Sequence, residues 1–360
     1  MKPTWIHSWK FDLPFLLAPP FFAIAIALVL NGASMTSGIP PWAWVAFILC
    51  IDVAHVYSTL FRTYLDPSVY EERRTLLAMV PIACWLTGTI LYTLSAAAFW
   101  TVLAYLAVFH FARQQYGFLM LYSRFEAPSR ARRLDQALVY LATLYPILYW
   151  HSHLPRNFHW FIDGDFVPGL SPLVSELTGY LYLAVIAAYL VKEAFGQLRG
   201  ERFNVPKQLV LLGTMASWYV GIVALNGDFV FTVTNVVAHG VPYVALVWIM
   251  GRKEAAQNPA RESFFGLRFG QVYSLAFLPV FLGILLLLGF LEEGLWDGLI
   301  WREHRAIFAG FSFLPSVLDK ATLAWLVPLL SLPQSTHYVL DGFIWRRPHY
   351  LLVSPTRQTH

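Results

Sequence analysis

Apolar residues in this chain gather into long continuous runs, near 12–31, 40–61, 75–95, 99–122, 134–151, 170–192, 207–225, 228–250, 270–291 and 320–345, separated by short polar, charged or Gly/Pro-containing stretches. The runs do not alternate apolar and polar at every second position, so they fit helices and argue against a membrane barrel. A helix rising ~1.5 Å per residue needs about 20 residues to cross a hydrocarbon layer ~30 Å thick, and most of the runs have that length. The pattern predicts an all-α fold: a polytopic integral membrane helical bundle of about ten transmembrane helices. No internal repeat or low-complexity linker divides the chain, so residues 1–360 read as a single transmembrane helical domain.

Composition agrees with the pattern. Hydrophobic residues make up 58% of the chain and charged ones only 13%, with a mean hydropathy of +0.55, which excludes an ordinary soluble globule. Charge adds an orientation, because lysine and arginine in short loops favour the cytoplasmic side. With the N-terminus inside, twenty of the 25 basic residues fall in inner segments, among them Lys2, Arg130, Arg346, Arg347 and Arg357, and only Arg156, Arg302 and Arg305 fall in outer loops. Both termini are therefore expected in the cytoplasm. The pI near 9.0 then reflects loops facing anionic lipid, and no nucleic-acid partner is expected. The first run is too long for a signal-peptide core, and Cys50 and Cys84, both within apolar runs, suggest neither a disulfide framework nor a thiolate zinc site.

The candidate chemistry lies in four histidines, His55, His110, His239 and His337, each inside a different apolar run. A polar ring there is costly unless something satisfies it. Each has a polar partner three or four residues away, hence on the same helical face: Asp52 with His55, Gln114 with His110, Asn235 with His239 and Asp341 with His337. Under the ten-span reading all four helices run in the same direction. The rings then stand some 10–21 Å from the first inner arginine at ~1.5 Å per residue, so one shared layer is expected.

Imidazole binds iron, copper and zinc, and carboxylates buried in lipid are readily kept ionised beside a cation. The expected ligands are His55, His110, His239, His337, Asp52 and Asp341, supported by Gln114, Asn235 and Thr59. Arg113 and Tyr338 are the candidate catalytic groups, Arg113 as a fork for Asp341, Asp52 or an anionic substrate group, against the simpler reading of a side chain snorkelling to the interface. Tyr57, Tyr116 and Tyr243 read as packing aromatics. A second cluster, His151, His153 and His159 with Asp163 and Asp165, lies in an outer loop which His304 could join; its plainer reading is interfacial histidines beside Trp150 and Trp160. His7, His349 and His360 carry no constellation.

A metal at this depth, walled by Phe, Leu and Trp, suits a lipophilic small-molecule substrate drawn from membrane lipid. The sequence therefore points to a non-heme iron oxygenase (hydroxylase, desaturase or oxidative cleavage), with one or two iron ions and a possible electron donor. Copper and zinc are alternatives. The clustered H-x-x-H-H and H-x-x-x-H boxes of membrane desaturases and alkane hydroxylases are absent. FHF at 109–111 resembles the bacterial carotenoid-cleaving membrane oxygenases, which hold iron with a few intramembrane histidines; the other motifs do not align, and no family is assigned. Two further classes compete. A proton-coupled or small-solute transporter would use the same polar residues as a path, with Pro19, Pro20 and Pro81 as helix breaks. A cytochrome would pair the histidines across haem.

Overall fold

The computed structural model describes residues 4–31, 38–126, 131–263 and 266–345, and the elements that carry the site are helices. Lys2, Arg130, Arg346, Arg347, Arg357, His349 and His360 lie outside the described residues. The first run forms α1 (Pro19–Asn31), which follows Trp9–Leu17 across a 46° bend. The Pro19-Pro20 pair stands at this bend, where proline can begin a helix but has no N–H to continue the preceding one.

Among the described residues seven helices are long and apolar enough to cross a membrane: α2 (Pro41–Arg62), α3 (Pro67–Leu94), α4 (Ala96–Tyr122), α6 (Pro172–Leu198), α7 (Val205–Ala224), α8 (Asp228–Gln257) and α9 (Leu275–Trp301). The bent pair makes an eighth if it is one span. The protein is thus a multi-pass helical membrane protein with seven or eight candidate spans, where the sequence pattern suggested ten. Two runs account for the difference. The run at 134–151 becomes α5 (Arg132–Ser152), whose paired arginines, Asp135 and Gln136 dilute its apolar character. The run at 320–345 breaks at Ser331 into α10 (Lys320–Leu330) and α11 (Leu332–Ile344), with Pro333 in the first turn of the second piece. Pro81, by contrast, sits inside α3, whose non-helical residue is Arg73, eight positions earlier.

The described residues group into two compact units. One comprises Met1–Ile39 and Phe111–Pro242. In it α5 packs along α6 and α7, and α1 packs on α7. Buried charges tie its helix ends: Lys207 reaches Glu193 at 3.1 Å and Glu126 at 3.2 Å, while Lys192 pairs with Asp135. Asn204 caps α7 by accepting from the Lys207 N–H, and its amide donates to the Tyr122 carbonyl at 2.9 Å. Trp150, Phe158, Trp160, Phe166 and Phe231 form an aromatic nest around the loop after α5. Asp165 anchors that loop through the N–H groups of Trp160 and Phe161, although burial still holds its carboxyl above the usual carboxylate range.

The other unit comprises Pro40–His110 and Tyr243–Leu352. Here α3 packs on α10 and α11, and α9 packs on α2. Phe61, Tyr243, Trp248, Tyr273 and Phe281 form its aromatic core. Arg62 and Glu254 make a buried ion pair at 2.8 Å, and the Arg62 guanidinium also lies 5.7 Å from the Trp345 ring centroid. The first part of α2, Trp44–Val53, is a wide π-helix that returns to α geometry at Ala54, just before His55. Such wide turns are uncommon and frequently accompany functional sites.

Close packing in this unit requires glycine at 251, where an added Cβ would stand 2.0 Å from the Tyr273 ring. Gly251→Ala is expected to cost on the order of 1–3 kcal/mol by overpacking. The check is thermal unfolding in detergent against Gly283→Ala, where a Cβ meets nothing within 4 Å and the midpoint should hold.

Candidate metal centre

His55 comes from α2, His110 from α4, His239 from α8 and His337 from α11, and each ring belongs to a residue no more than 3% exposed. His55, His110 and His337 belong to the second unit, where each offers one ring nitrogen and the nitrogens all lie within 4.8 Å of one another. A buried histidine cluster that could hold a metal ion is therefore a feature of that unit, and His239 is described with the first unit.

The second unit shows how the rings are held. His110 Nε2 and His337 Nε2 face each other at 3.1 Å, with ring centroids 4.6 Å apart at 67°. The His55 ring stands edge-on to His337, centroids 5.0 Å apart. On the far side of each ring the Nδ1 atom has its own polar neighbour. His337 Nδ1 lies 2.6 Å from Thr59 Oγ1, and Thr59 Oγ1 lies 3.1 Å from the Tyr243 hydroxyl. Tyr243 donates to Asp341 Oδ1 at 2.8 Å, the Trp345 indole donates to the same oxygen, and Asp341 Oδ2 stands 3.5 Å from His110 Nδ1. His55 Nδ1 lies 3.7 Å from Asp52 Oδ1.

These contacts constrain the protons, since tautomers follow from the hydrogen-bond network. An ionised Asp341 only accepts. Tyr243 then donates to Asp341 and accepts from Thr59, which leaves Thr59 to accept from His337 Nδ1–H and gives His337 Nε2 a free lone pair. His110 Nδ1 stands 3.5 Å from Asp341 Oδ2, longer than an ordinary hydrogen bond, so His110 has two arrangements: its Nε2–H donates to His337 Nε2 at 3.1 Å, or its proton sits on Nδ1 and the two Nε2 lone pairs converge where a cation could join them.

The spacing suits such an ion. At metal–nitrogen bonds of ~2.1 Å, adjacent ligands stand ~3.0 Å apart at right angles and ~3.4 Å apart in a tetrahedron. The 3.1 Å separation of His110 and His337 falls in this interval.

Asp341 and Asp52, expected among the ligands, stand beside the Nδ1 atoms of His110 and His55 at 3.5 and 3.7 Å. Their position is that of the carboxylates which orient ligating histidines and raise their basicity. Thr59 plays the corresponding part for His337. In the first unit the His239 ring stacks on Phe111, centroids 3.6 Å apart at 10°, and its carbonyl accepts from Gln114 Nε2 at 2.9 Å. Asn235 donates to the Phe231 carbonyl of its own helix at 2.8 Å. Gln114 and Asn235 thus serve the backbone of α8. Tyr338 tilts against His110, centroids 5.0 Å apart. Arg113 is placed elsewhere: its side chain is exposed, donates to the Tyr140 hydroxyl and lies over the Tyr116 ring. Asp341 is held by Tyr243 and Trp345 instead of by a guanidinium.

The outer-loop histidines take local partners. His151 Nδ1 lies 2.6 Å from the Ile147 carbonyl, His153 Nδ1 lies 2.8 Å from the Tyr149 carbonyl, and His159 pairs with Asp163 at 3.1 Å. His304 stacks on Trp44. Sequence reasoning missed two participants. Tyr243, read as packing, is the hub of the proton network. Glu292 is buried on α9 and accepts from Tyr57 at 2.8 Å, and the ninth apolar run was ended one residue short of it. The adjacent acids of LGFLEEGLW, with apolar residues resuming beyond them, were the available signal.

Comparison with known protein families, with curated proteins and with solved structures finds no match. The site's own chemistry therefore carries the functional reading.

Replacing Asp341 with Asn removes the negative charge and exchanges one of its two accepting oxygens for an NH2 donor, so Tyr243, Trp345 and His110 can no longer all be met as in the wild type. Orienting groups of this kind usually contribute 10–100-fold to metal affinity. Asp341→Asn is expected to bind metal weaker by about that factor in competition with a chelator of known affinity; an unchanged affinity would contradict an orienting role for Asp341.

Proposed function

We propose that the chain is an integral membrane metalloenzyme, a non-heme iron oxygenase acting on a lipophilic substrate, with both termini in the cytoplasm. The observation that carries the metal reading is the convergence of buried imidazole nitrogens, with His110 Nε2 and His337 Nε2 at 3.1 Å and Asp341 and Thr59 beside their Nδ1 atoms. Under the ten-span reading, the twenty-to-three distribution of basic residues supports the orientation.

Imidazole serves iron, copper and zinc alike. Iron is the choice that pairs with dioxygen and an apolar substrate, both of which concentrate in hydrocarbon. Bound here, iron would supply a place for dioxygen activation. The chain's own residues orient the rings, exclude bulk water and keep protons at fixed atoms. Asp341, Tyr243 and Thr59 hold protons on the Nδ1 side, and Tyr338 is the phenol we assign to the substrate side of His110. Hydroxylation takes dioxygen, two protons and two electrons from a separate donor and yields an alcohol and water. Desaturation takes the same and yields two waters. Cleavage of a carbon–carbon double bond divides both oxygen atoms between two carbonyl products and needs no donor. Haem is disfavoured: axial nitrogens on opposite faces of one iron stand about 4 Å apart with the macrocycle between them, wider than the His110–His337 approach.

Elemental analysis of purified protein is expected to find near-stoichiometric iron, and His110→Ala and His337→Ala should each abolish its retention while the protein remains inserted. Metal-loaded protein should take up dioxygen when supplied with fatty acyl, sterol or polyene lipids. A Soret band would favour a cytochrome, and absence of any transition metal would leave a transport path as the better reading.

A further inference from the structure

A second site lies in the first unit and is independent of the metal reading. At one end α6 and α7 are tied together by Tyr189 donating to Gln208 at 2.7 Å, Gln208 donating to Glu193 at 2.8 Å and Lys207 meeting Glu193 at 3.1 Å. From there toward Pro172 a cavity of about 630 Å³ opens between the two helices, with Tyr145 of α5 at its back. Gly179 admits that ring, since a Cβ at 179 would come within 3.1 Å of it.

The lining changes along its length. Near the start of α6 it presents Glu176 with Tyr145, Tyr180, Tyr182 and Tyr219, and further along it presents Leu183, Ile186, Leu212 and Met215. Glu176 to Ile186 spans ten residues of helix, ~15 Å at 1.5 Å per residue. The polar part thus lies at a helix end, where a membrane headgroup layer meets the protein, and the apolar part runs inward along acyl-chain depth.

Glu176 bears a charge without a basic partner among the described residues; its contact is the Tyr180 hydroxyl, which donates to Oε1 at 3.2 Å. No lysine, arginine or histidine lines the cavity. Aromatic faces carry negative potential, and clusters of them recognise alkylammonium groups through cation–π attraction. Four tyrosines, two of them with ring centroids 5.6 Å apart, together with one unpaired carboxylate therefore complement a cation. The apolar extension complements a hydrocarbon tail. We infer that this cavity is a binding site for a membrane lipid whose headgroup ends in an ammonium group, with the ammonium against Glu176 and the tyrosine faces and the chain along Leu183 and Ile186.

Phosphatidylethanolamine and phosphatidylglycerol of matched chains share the phosphodiester and differ in the ammonium, which makes them suitable probes. Full-length protein in detergent is mixed with equal amounts of the two, and retained lipid is read by native mass spectrometry. Wild type should retain phosphatidylethanolamine about fivefold better, the size of one partly exposed cation–π or ion-pair contact. Glu176→Gln, at an exposed position that leaves packing untouched, should bring the ratio near one, and Tyr219→Leu should lower it. Equal retention of both lipids by wild type would reduce the cavity to ordinary lipid annulus and overturn the inference. So would a preference that survives in both variants at unchanged melting temperature.

Discussion

Two imidazole nitrogens meeting at 3.1 Å inside apolar helices set the terms for this protein. Each ring has been stripped of water, at a cost of several kcal/mol if unsatisfied. The fold answers that cost with Thr59, Tyr243, Asp341 and Trp345, which line up behind the Nδ1 atoms of His337 and His110. The nitrogens that face inward converge on one another, an arrangement that could hold a metal ion.

Holding such a set requires helices that cannot slide. In the second unit the Arg62–Glu254 pair fastens α2 to α8, and the bare face of Gly251 lets Tyr273 come close enough to donate to the Phe61 carbonyl. In the first unit the charges around Lys207 and Asp135 do similar work on α5, α6 and α7. Ion pairs buried this deeply are weak contributors to net stability, yet removing one partner is severe because the other is left uncompensated. Their effect is to make one helix register much better than its neighbours.

Helical class and membrane insertion were legible in the sequence because length and continuity of apolar runs are direct consequences of bilayer thickness. The four histidines were legible for a related reason: a ring in each of four apolar runs has few uses. What the sequence hid was lateral geometry. Same-face spacing put Asp341 with His337, its neighbour on α11, whereas the structure turns it to His110 on α4 and leaves His337 to Thr59 of α2. Arg113 follows His110 by three positions and stands only about 60° from it around the helix, yet its long side chain runs to Tyr140, a partner 27 residues away that helical spacing does not reveal. Tyr243 looked like any other aromatic in a chain with 18 tyrosines, since its hydroxyl partners lie 98 and 184 residues away. The break at Ser331 escaped notice because both sides of it are apolar.

Trp345 has two occupations. Its indole N–H is committed to Asp341, and its face receives the guanidinium of Arg62, which is itself locked to Glu254. One flat ring thereby joins the ion pair at the end of α2 to the carboxylate behind His110. The position of that ring depends on both neighbours, so a rearrangement at the end of α2 that moves Arg62 would reach the carboxylate behind His110 through a single side chain.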